Sequence, residues 1–527
     1  MSLPVLFVGS AIFQPLNENW QHLKEYLLTE YIVNSLILML GVSFGVLSMG
    51  VITAWLTSMC EFPHRRFFSW MLLLPLAIPA YIIAYTYTGL LDYAGPVQTQ
   101  IRDWTDWGVR DYWFPEVRSI GGAIAMLSLV LYPYVYMMAR ATFLEQSVGV
   151  LEASRTLGST PLNGFFRVAL PLARPAIVTG LSLALMETLA DFGTVSFFGI
   201  GTFTTGIFRT WFGVGDGTSA SQLSVMLLMF VFALIMIERW SRKRAKYHHT
   251  SQKYSAIKRF QLKGRAAFFA WLACLLPVFF GFILPALQLL YWVFNTADKT
   301  IDASFFSLTL NTMLLAIGAS LIAVSIALLL AYGKRLYKTP VIHAGVSIAS
   351  LGYAVPGTVI AVGVMTPFAL MDRAIHDWMK INFDISTGLI LSGTIFALLF
   401  AYTVRFLAVS VNAIESGLGK IKPTMDDAGR SMGLSPMAVL RKIHIPLMRG
   451  TVLTALLLVF VDVLKELPAT LILRPFNFNT LAVRAHELAA DERLADAATP
   501  ALMIVLVGII PVILLSKAIN NSRAGEQ

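Results

Sequence analysis

Glu152-Ala-Ser-Arg-Thr-Leu-Gly158-Ser-Thr-Pro161-Leu-Asn-Gly-Phe-Phe-Arg-Val-Ala-Leu-Pro171 is answered 275 positions later by Asp427-Ala-Gly-Arg-Ser-Met-Gly433-Leu-Ser-Pro436-Met-Ala-Val-Leu-Arg-Lys-Ile-His-Ile-Pro446. Both stretches read acidic residue, Ala153 or Ala428, small residue (Ser154 or Gly429), three residues, glycine, and, after nine more, an aliphatic run closed by proline. The offset of 275 also pairs Arg174 with Arg449, Glu187 with Asp462, Asp191 with Glu466 and Thr205 with Thr480, with no gap. One ancestral unit is therefore present twice in the chain.

Outward from the repeat, the 527 residues are 57% hydrophobic and only 13% charged, where a soluble domain carries about 25% charged residues. Mean hydropathy is +0.69. This composition excludes an ordinary soluble enzyme and points to a polytopic membrane protein. Apolar runs of about 20 residues, enough to span a bilayer, fall near 31–57, 69–91, 120–143, 175–199 and 222–238, then near 266–294, 309–332, 341–370, 387–412, 450–473 and 498–516. Five spans thus lie in the first half and six in the second. Residues 3–13 are apolar but too short to cross unaided, and their counterpart 266–294 is a full span; the expectation is a chain that begins inside a helix rather than with a signal peptide, since no basic segment precedes it.

The net charge of +10 resembles a nucleic-acid signal until it is located. Ten Lys or Arg and no acid lie between Arg239 and Arg265, joining the two halves, and Arg65, Arg66, Lys334, Arg335 and Lys338 lie in the first hairpin loop of each half. Short basic loops on alternate sides of the spans belong to the cytoplasm. The opposite loops, 92–119 with Asp92, Asp103, Asp106, Asp111 and Glu116, and 474–498 with Glu487, Asp491, Glu492 and Asp496, are expected outside. Cys60 and Cys274 are the only cysteines, which excludes a disulfide framework or thiolate cluster.

In this topology both copies of the motif fall in cytoplasmic loops. Each predicts two short helices at an angle: a first helix ended by Gly158 or Gly433 in a positive-φ conformation, then a hydroxyl cap and proline opening a second. The chain is expected to turn back into the membrane at Pro171 and Pro446. The first short helix becomes a knob at the membrane surface.

These residues resemble the cytoplasmic EAA loop of the permease subunits of ABC importers, with Asp427 and Gly429 departing from the family's Glu and Ala. The phrases Glu187-Thr-Leu-Ala-Asp191-Phe-Gly-Thr, Thr202-Phe-Thr-Thr-Gly-Ile-Phe208, Tyr353-Ala-Val-Pro-Gly-Thr358 and Lys465-Glu-Leu-Pro-Ala-Thr470 look like the fused two-domain permeases of ferric-iron importers. Fused thiamine permeases share the length and layout. The resemblance implies an all-α, polytopic transmembrane protein of the type I importer kind, with two homologous halves in parallel repeat. In domains it implies a short apolar segment and periplasmic loop (1–30), a first permease domain (31–240), a basic cytoplasmic linker (241–265), an extra transmembrane helix and periplasmic loop (266–305), a second permease domain (306–516) and a cytoplasmic tail (517–527).

It also implies coupling through Glu152, Ala153, Ser154, Gly158, Pro171, Asp427, Ala428, Gly429, Gly433 and Pro446 to two copies of an ATPase subunit. A periplasmic binding protein would deliver substrate to this inner-membrane chain, which lies among membrane lipid and engages no nucleic acid. No G-x-x-x-x-G-K-[ST] phosphate loop occurs. The chain is therefore read as a non-enzymatic transport subunit that binds no cofactor, with ATP hydrolysed by its partners. A proton-coupled secondary transporter is the competing class; it explains the membrane acids described next but not the duplicated loop.

Glu187 and Asp191 stand four apart in one predicted span, and Asp462 and Glu466 repeat the spacing in its partner, so each pair shares a helix face. A charge at the bilayer centre costs about 2.5 to 3.5 kcal/mol, so these acids are expected to avoid lipid. In one reading the four line a pathway for a hard cation that prefers oxygen ligands, with Tyr81, Tyr85, Tyr132 and Tyr353 adding phenols. In the other, Lys465 neutralises Asp462 or Glu466, and Glu187 and Asp191 cap neighbouring helix ends. Pro79 and Pro356, in matched spans, are expected to break their helices. No histidine cluster suggests a metal site.

Overall fold

A computed structural model describes residues 3–108, 111–145, 161–243, 259–337, 339–350 and 352–521. Among these residues the chain is helical, apart from one parallel strand pair of two residues each that matches Cys60 with Phe260 and Glu61 with Gln261. Among the described residues nine helices are long and apolar enough to cross a membrane, and two pairs bent at a short break bring the number to eleven. The all-α, polytopic expectation holds.

The spans break where the sequence supplies a reason. Pro79 and Pro356 take nearly the same extended conformation, φ −59°, ψ 146° and φ −55°, ψ 143°, each heading a new helix, Ala80–Leu91 and Gly357–Phe383. Proline fixes φ and disfavours helix in the residue before it, so the preceding turn must end. The first pair bends by 91°. The expected single span 341–370 is accordingly the short helix Pro340–Ala349 followed by Gly357–Phe383. Expected spans 175–199 and 450–473 also divide, with Leu170–Ala190 followed by Gly193–Phe197, and Arg449–Leu464 followed by Pro468–Leu473.

Two compact units emerge, and neither is a simple half of the sequence. One comprises 1–22, 206–228 and 301–484; the other comprises 23–205, 229–300 and 485–527. In the first, the amino-terminal helix Leu3–Ser10 seats on Gly357–Phe383, and a side chain at Gly363 would run into the carbonyl of Pro4. In the second, Leu28–Met59 lies along Ile120–Glu145 through Gly41 and Gly45, where a Cβ would collide with Ile124 and Ser128. Four-residue spacing of small residues permits this close approach of membrane helices. Ala316 and Ser320, 275 positions later, keep the same stripe small and buried.

Candidate functional site

Glu152, Ala153, Ser154 and Gly158 of the first knob lie outside the described residues. The second knob is described completely. Thr424–Ser431 forms a helix, and Gly433 follows at φ +77°. The amide of Leu434 bonds the carbonyl of Gly429 at 3.1 Å, and that of Gly433 bonds Arg430 at 2.9 Å. This is the Schellman end that a glycine in the left-handed region permits. Ser435 then accepts from the amide of Ala438 at 3.3 Å, capping Pro436–Val439 with Pro436 at the first position. The expected helix, glycine turn, hydroxyl cap and proline are all present.

Gly429 has a local reason for its departure from the family pattern. A Cβ there would lie 2.9 Å from Val439 Cγ2 and 3.1 Å from Ile443 Cδ1, so the two loop helices cross at this residue. Val439 and Leu440 continue into an apolar core with Val324, Leu407, Val411 and Leu418, and burying each such side chain stabilises by about 1.5 to 3 kcal/mol. Asp427 and Ala428 remain exposed. Met425, Met432 and Met437 are 43%, 71% and 51% exposed around them. Flexible, polarisable methionines suit a surface that packs against a partner.

Asp426, one residue before the motif, faces inward. Its Oδ2 accepts from Arg335 Nε at 3.0 Å and Nη2 at 2.7 Å, and its Oδ1 lies 2.7 Å from His444 Nε2. Burial alone would raise this carboxyl, but the hydrogen bonds from His444 and Arg335 outweigh it and hold the group below the usual carboxylate value. The sequence reading missed this cluster; its only signal was an acid and a histidine with no counterpart at Leu151 and Ala169.

The second loop helices of both repeats carry a five-residue π segment at the same offset, Phe165–Ala169 and Leu440–His444. Beyond it the repeats diverge. Pro446 is followed by an 84° bend between Pro436–Leu447 and Arg449–Leu464, whereas Pro171 lies within one continuous run, Phe165–Ala190. The expected turn at Pro171 is thus absent. Proline at the start of Leu170–Ala190 lacks an amide, and a helix tolerates that where the widened π turn precedes it.

Two of the four membrane acids, Asp191 and Glu466, are capping groups. Asp191 accepts from the amides of Thr194 and Val195, both at 3.1 Å, and from Thr194 Oγ1 at 3.0 Å. Glu466 accepts from the amides of Ala469 and Thr470, both at 3.1 Å, and from Thr470 Oγ1 at 2.8 Å. Each acid closes one helix and caps the next, its charge facing the positive end of the following turn. Glu466, 4% exposed, also pairs with Arg405 Nη1 at 3.0 Å. Lys465 pairs with Asp462 at 2.9 Å instead. For Glu187 no hydrogen bond or ion pair is found among the described residues.

Asp191 and Glu187 belong to one compact unit, Asp462 and Glu466 to the other. Among the described residues no three His, Cys, Asp or Glu side chains converge as a metal site. Of the tyrosines, Tyr81, Tyr85 and Tyr132 are buried. Tyr85 Oη lies 2.7 Å from Nδ1 of His486, a contact the sequence reading missed because His486 sits in a short helix, Leu481–Ala490, within an expected loop.

Duplicated, kinked membrane bundles carrying this capped loop define the membrane permease subunits of ABC-type, binding-protein-dependent transport, which are permeases and not enzymes. Residues 1–247 match the family described as binding-protein-dependent transport system inner membrane component. Among its relatives is the Fe(3+)-transport system permease protein FbpB 2 of Haemophilus influenzae, 26% identical over 496 residues that cover 93% of this chain and 90% of the relative. The ferric transport system permease protein FbpB of Actinobacillus pleuropneumoniae is 24% identical over 76% of this chain and 58% of its own length. The molybdenum transport system permease protein ModB of Escherichia coli matches at 25% over 209 residues, 38% of this chain and 88% of ModB. A relative that size corresponds to a single repeat, as the fused arrangement requires.

Proposed function

We propose that the chain is the membrane subunit of an importer that carries ferric iron from the periplasm to the cytoplasm, powered by two copies of a separate ATPase subunit and supplied by a periplasmic binding protein. The knob around Gly433 carries this reading: a rigid, capped helix with exposed Asp427, Ala428, Met425 and Met432 on a buried base has the form of a plug for a partner's groove. The cytoplasmic assignment of the knobs, linker and carboxyl terminus follows from the basic loops. Iron is supported by the names of the relatives that span most of the chain. ATP would be hydrolysed by the partners, with no cofactor held by this chain.

The membrane acids divide within this reading. Asp191 and Glu466 cap helices and Asp462 is held by Lys465, so Glu187 is the carboxylate left to meet cargo. The docking role is tested by a bifunctional cross-link from cysteine introduced as Met432→Cys, with the buried native Cys60 and Cys274 as background. A cross-linked ATPase subunit is expected. A complex that purifies intact yet gives none would refute docking at this knob. Uptake of labelled Fe³⁺ by proteoliposomes loaded with the binding protein tests the cargo; ATP-dependent uptake of another cation and no iron would replace it.

A further inference from the structure

Asp426 ties together four segments of its unit at a single carboxylate. Arg335, in the last turn of Ala303–Leu336, spends Nη1 on the carbonyl of Leu418 at 2.5 Å and Nη2 on that of Ile421 at 2.9 Å, at and just beyond the carboxyl end of Ile395–Gly419. Its Nε and Nη2 take Asp426 of the knob helix, and Asp426 takes His444 of the second loop helix. His444 is 0% exposed, and its ring lies 5.3 Å from that of Tyr332 on Ala303–Leu336. It therefore touches no partner surface, and its hydrogen bond goes to Asp426.

We propose that Arg335, Asp426 and His444 form a latch that makes the second knob move as one body with the membrane helices Ala303–Leu336 and Ile395–Gly419. The proposal rests on the reading that the knobs dock ATPase subunits. A forked ion pair with both ends satisfied has few intermediate arrangements; it shifts whole or breaks, leaving buried charge unpaired. Leu151 and Ala169 stand 275 positions before Asp426 and His444, and neither can accept or donate in such a chain. The latch of the second repeat therefore cannot be rebuilt from the same side chains in the first. Arg335, Asp426 and His444 are positioning residues for transport, distinct from the exposed residues that would meet the ATPase.

The test measures ATP hydrolysed per cargo ion delivered, in proteoliposomes holding the chain, its ATPase and the binding protein. His444→Ala installs the first repeat's residue; it is expected to raise the ratio about fivefold or more, the lower end of ordinary coupling between sites, with the ATPase still co-purifying at the unsubstituted ratio. His444→Gln, whose amide can donate to Asp426, is expected to restore most of it. Arg335→Lys, which keeps the charge and loses the fork, is expected to raise the ratio as well. An unchanged ratio in His444→Ala, a His444→Gln variant as impaired as His444→Ala, or loss of the ATPase from either variant sinks the latch alone. Failure of the Met432→Cys cross-link sinks the docking reading and the latch with it.

Discussion

Gly429→Ala installs the residue that the family motif carries, and the geometry predicts that it weakens this chain. Alanine is favoured over glycine within a helix by up to about 1 kcal/mol. Against that, the new Cβ would stand 2.9 Å from Val439 Cγ2. Val439 is buried and β-branched in a helix, so its rotamer cannot turn away; Ile443 Cδ1, at 3.1 Å, is the free end of a longer side chain and can. Overpacking of this kind costs about 1 to 3 kcal/mol, leaving a net loss of about 1 kcal/mol. Thermal unfolding of the purified chain should show the loss for Gly429→Ala. The double variant Gly429→Ala, Val439→Ala should be less destabilised than the two single changes added together, because removing the valine methyls makes room for the new one. Strict additivity, or a Gly429→Ala variant that is more stable than the parent, would refute the crossing of the two loop helices at this residue.

Gly433→Pro is expected to abolish the left-handed turn at φ +77°, because proline is locked near −65°; membrane insertion should persist while ATP hydrolysis and uptake separate, and normal uptake would count against the knob. Arg405→Leu should destabilise by about 3 to 5 kcal/mol by leaving Glu466 buried without its cation, with Arg405→Leu, Glu466→Gln recovering part of the loss in thermal unfolding. Asp216 heads the helix Gly217–Lys243 and also binds Asn17 and Asn19. Burial alone would raise its carboxyl, but the hydrogen bonds from Ser219, Asn19 and Asn17 bring it from 3.8 to about 2, so its contribution to stability is present above pH 3.8 and is lost as the pH falls toward 2. Protease sensitivity near residues 14–22 should rise across that window in the parent, and should already be high and pH-independent in Asp216→Ala. Glu187→Gln is expected to slow cargo uptake more than Asp191→Asn perturbs it at equal protein level; equal uptake by Glu187→Gln and the parent would leave Glu187 without a transport role.

The repeat made the loop legible. Gly433, Ser435 and Pro436 each have one strong local preference, and each adopts it. Pro79 and Pro356 break their helices for the same local reason. Asp191 and Glu466 are legible as a pair, but capping is only one of two readings for Asp191 and is not read for Glu466, since it depends on amides three and four residues further on in a turn that hydropathy merges into the span. The reading that Lys465 neutralises Asp462 or Glu466 holds at Asp462, three residues back on the same helix face, while the partner of Glu466 is Arg405, 61 positions away in sequence. The Asp426 cluster escaped because comparing the repeats highlights what they share, and this cluster is what they do not share. Nor could periodicity show that residues 1–22 belong with 301–484, because an apolar face does not encode which apolar face it meets.

That last grouping sets a timetable for making the protein. Leu3–Ser10 leaves the ribosome well before Gly357–Phe383, its seat, and at about 5 to 20 residues per second the interval is on the order of tens of seconds. For that time the segment is without its notch at Gly363. Conversely, Arg265–Thr300 is made after the first-repeat helices it joins, and finds them waiting. Fusing the two repeats into one chain removes the search for a partner subunit, but its cost is this delay, and the same sequence expressed as two separate halves would exchange the delay for a second-order encounter.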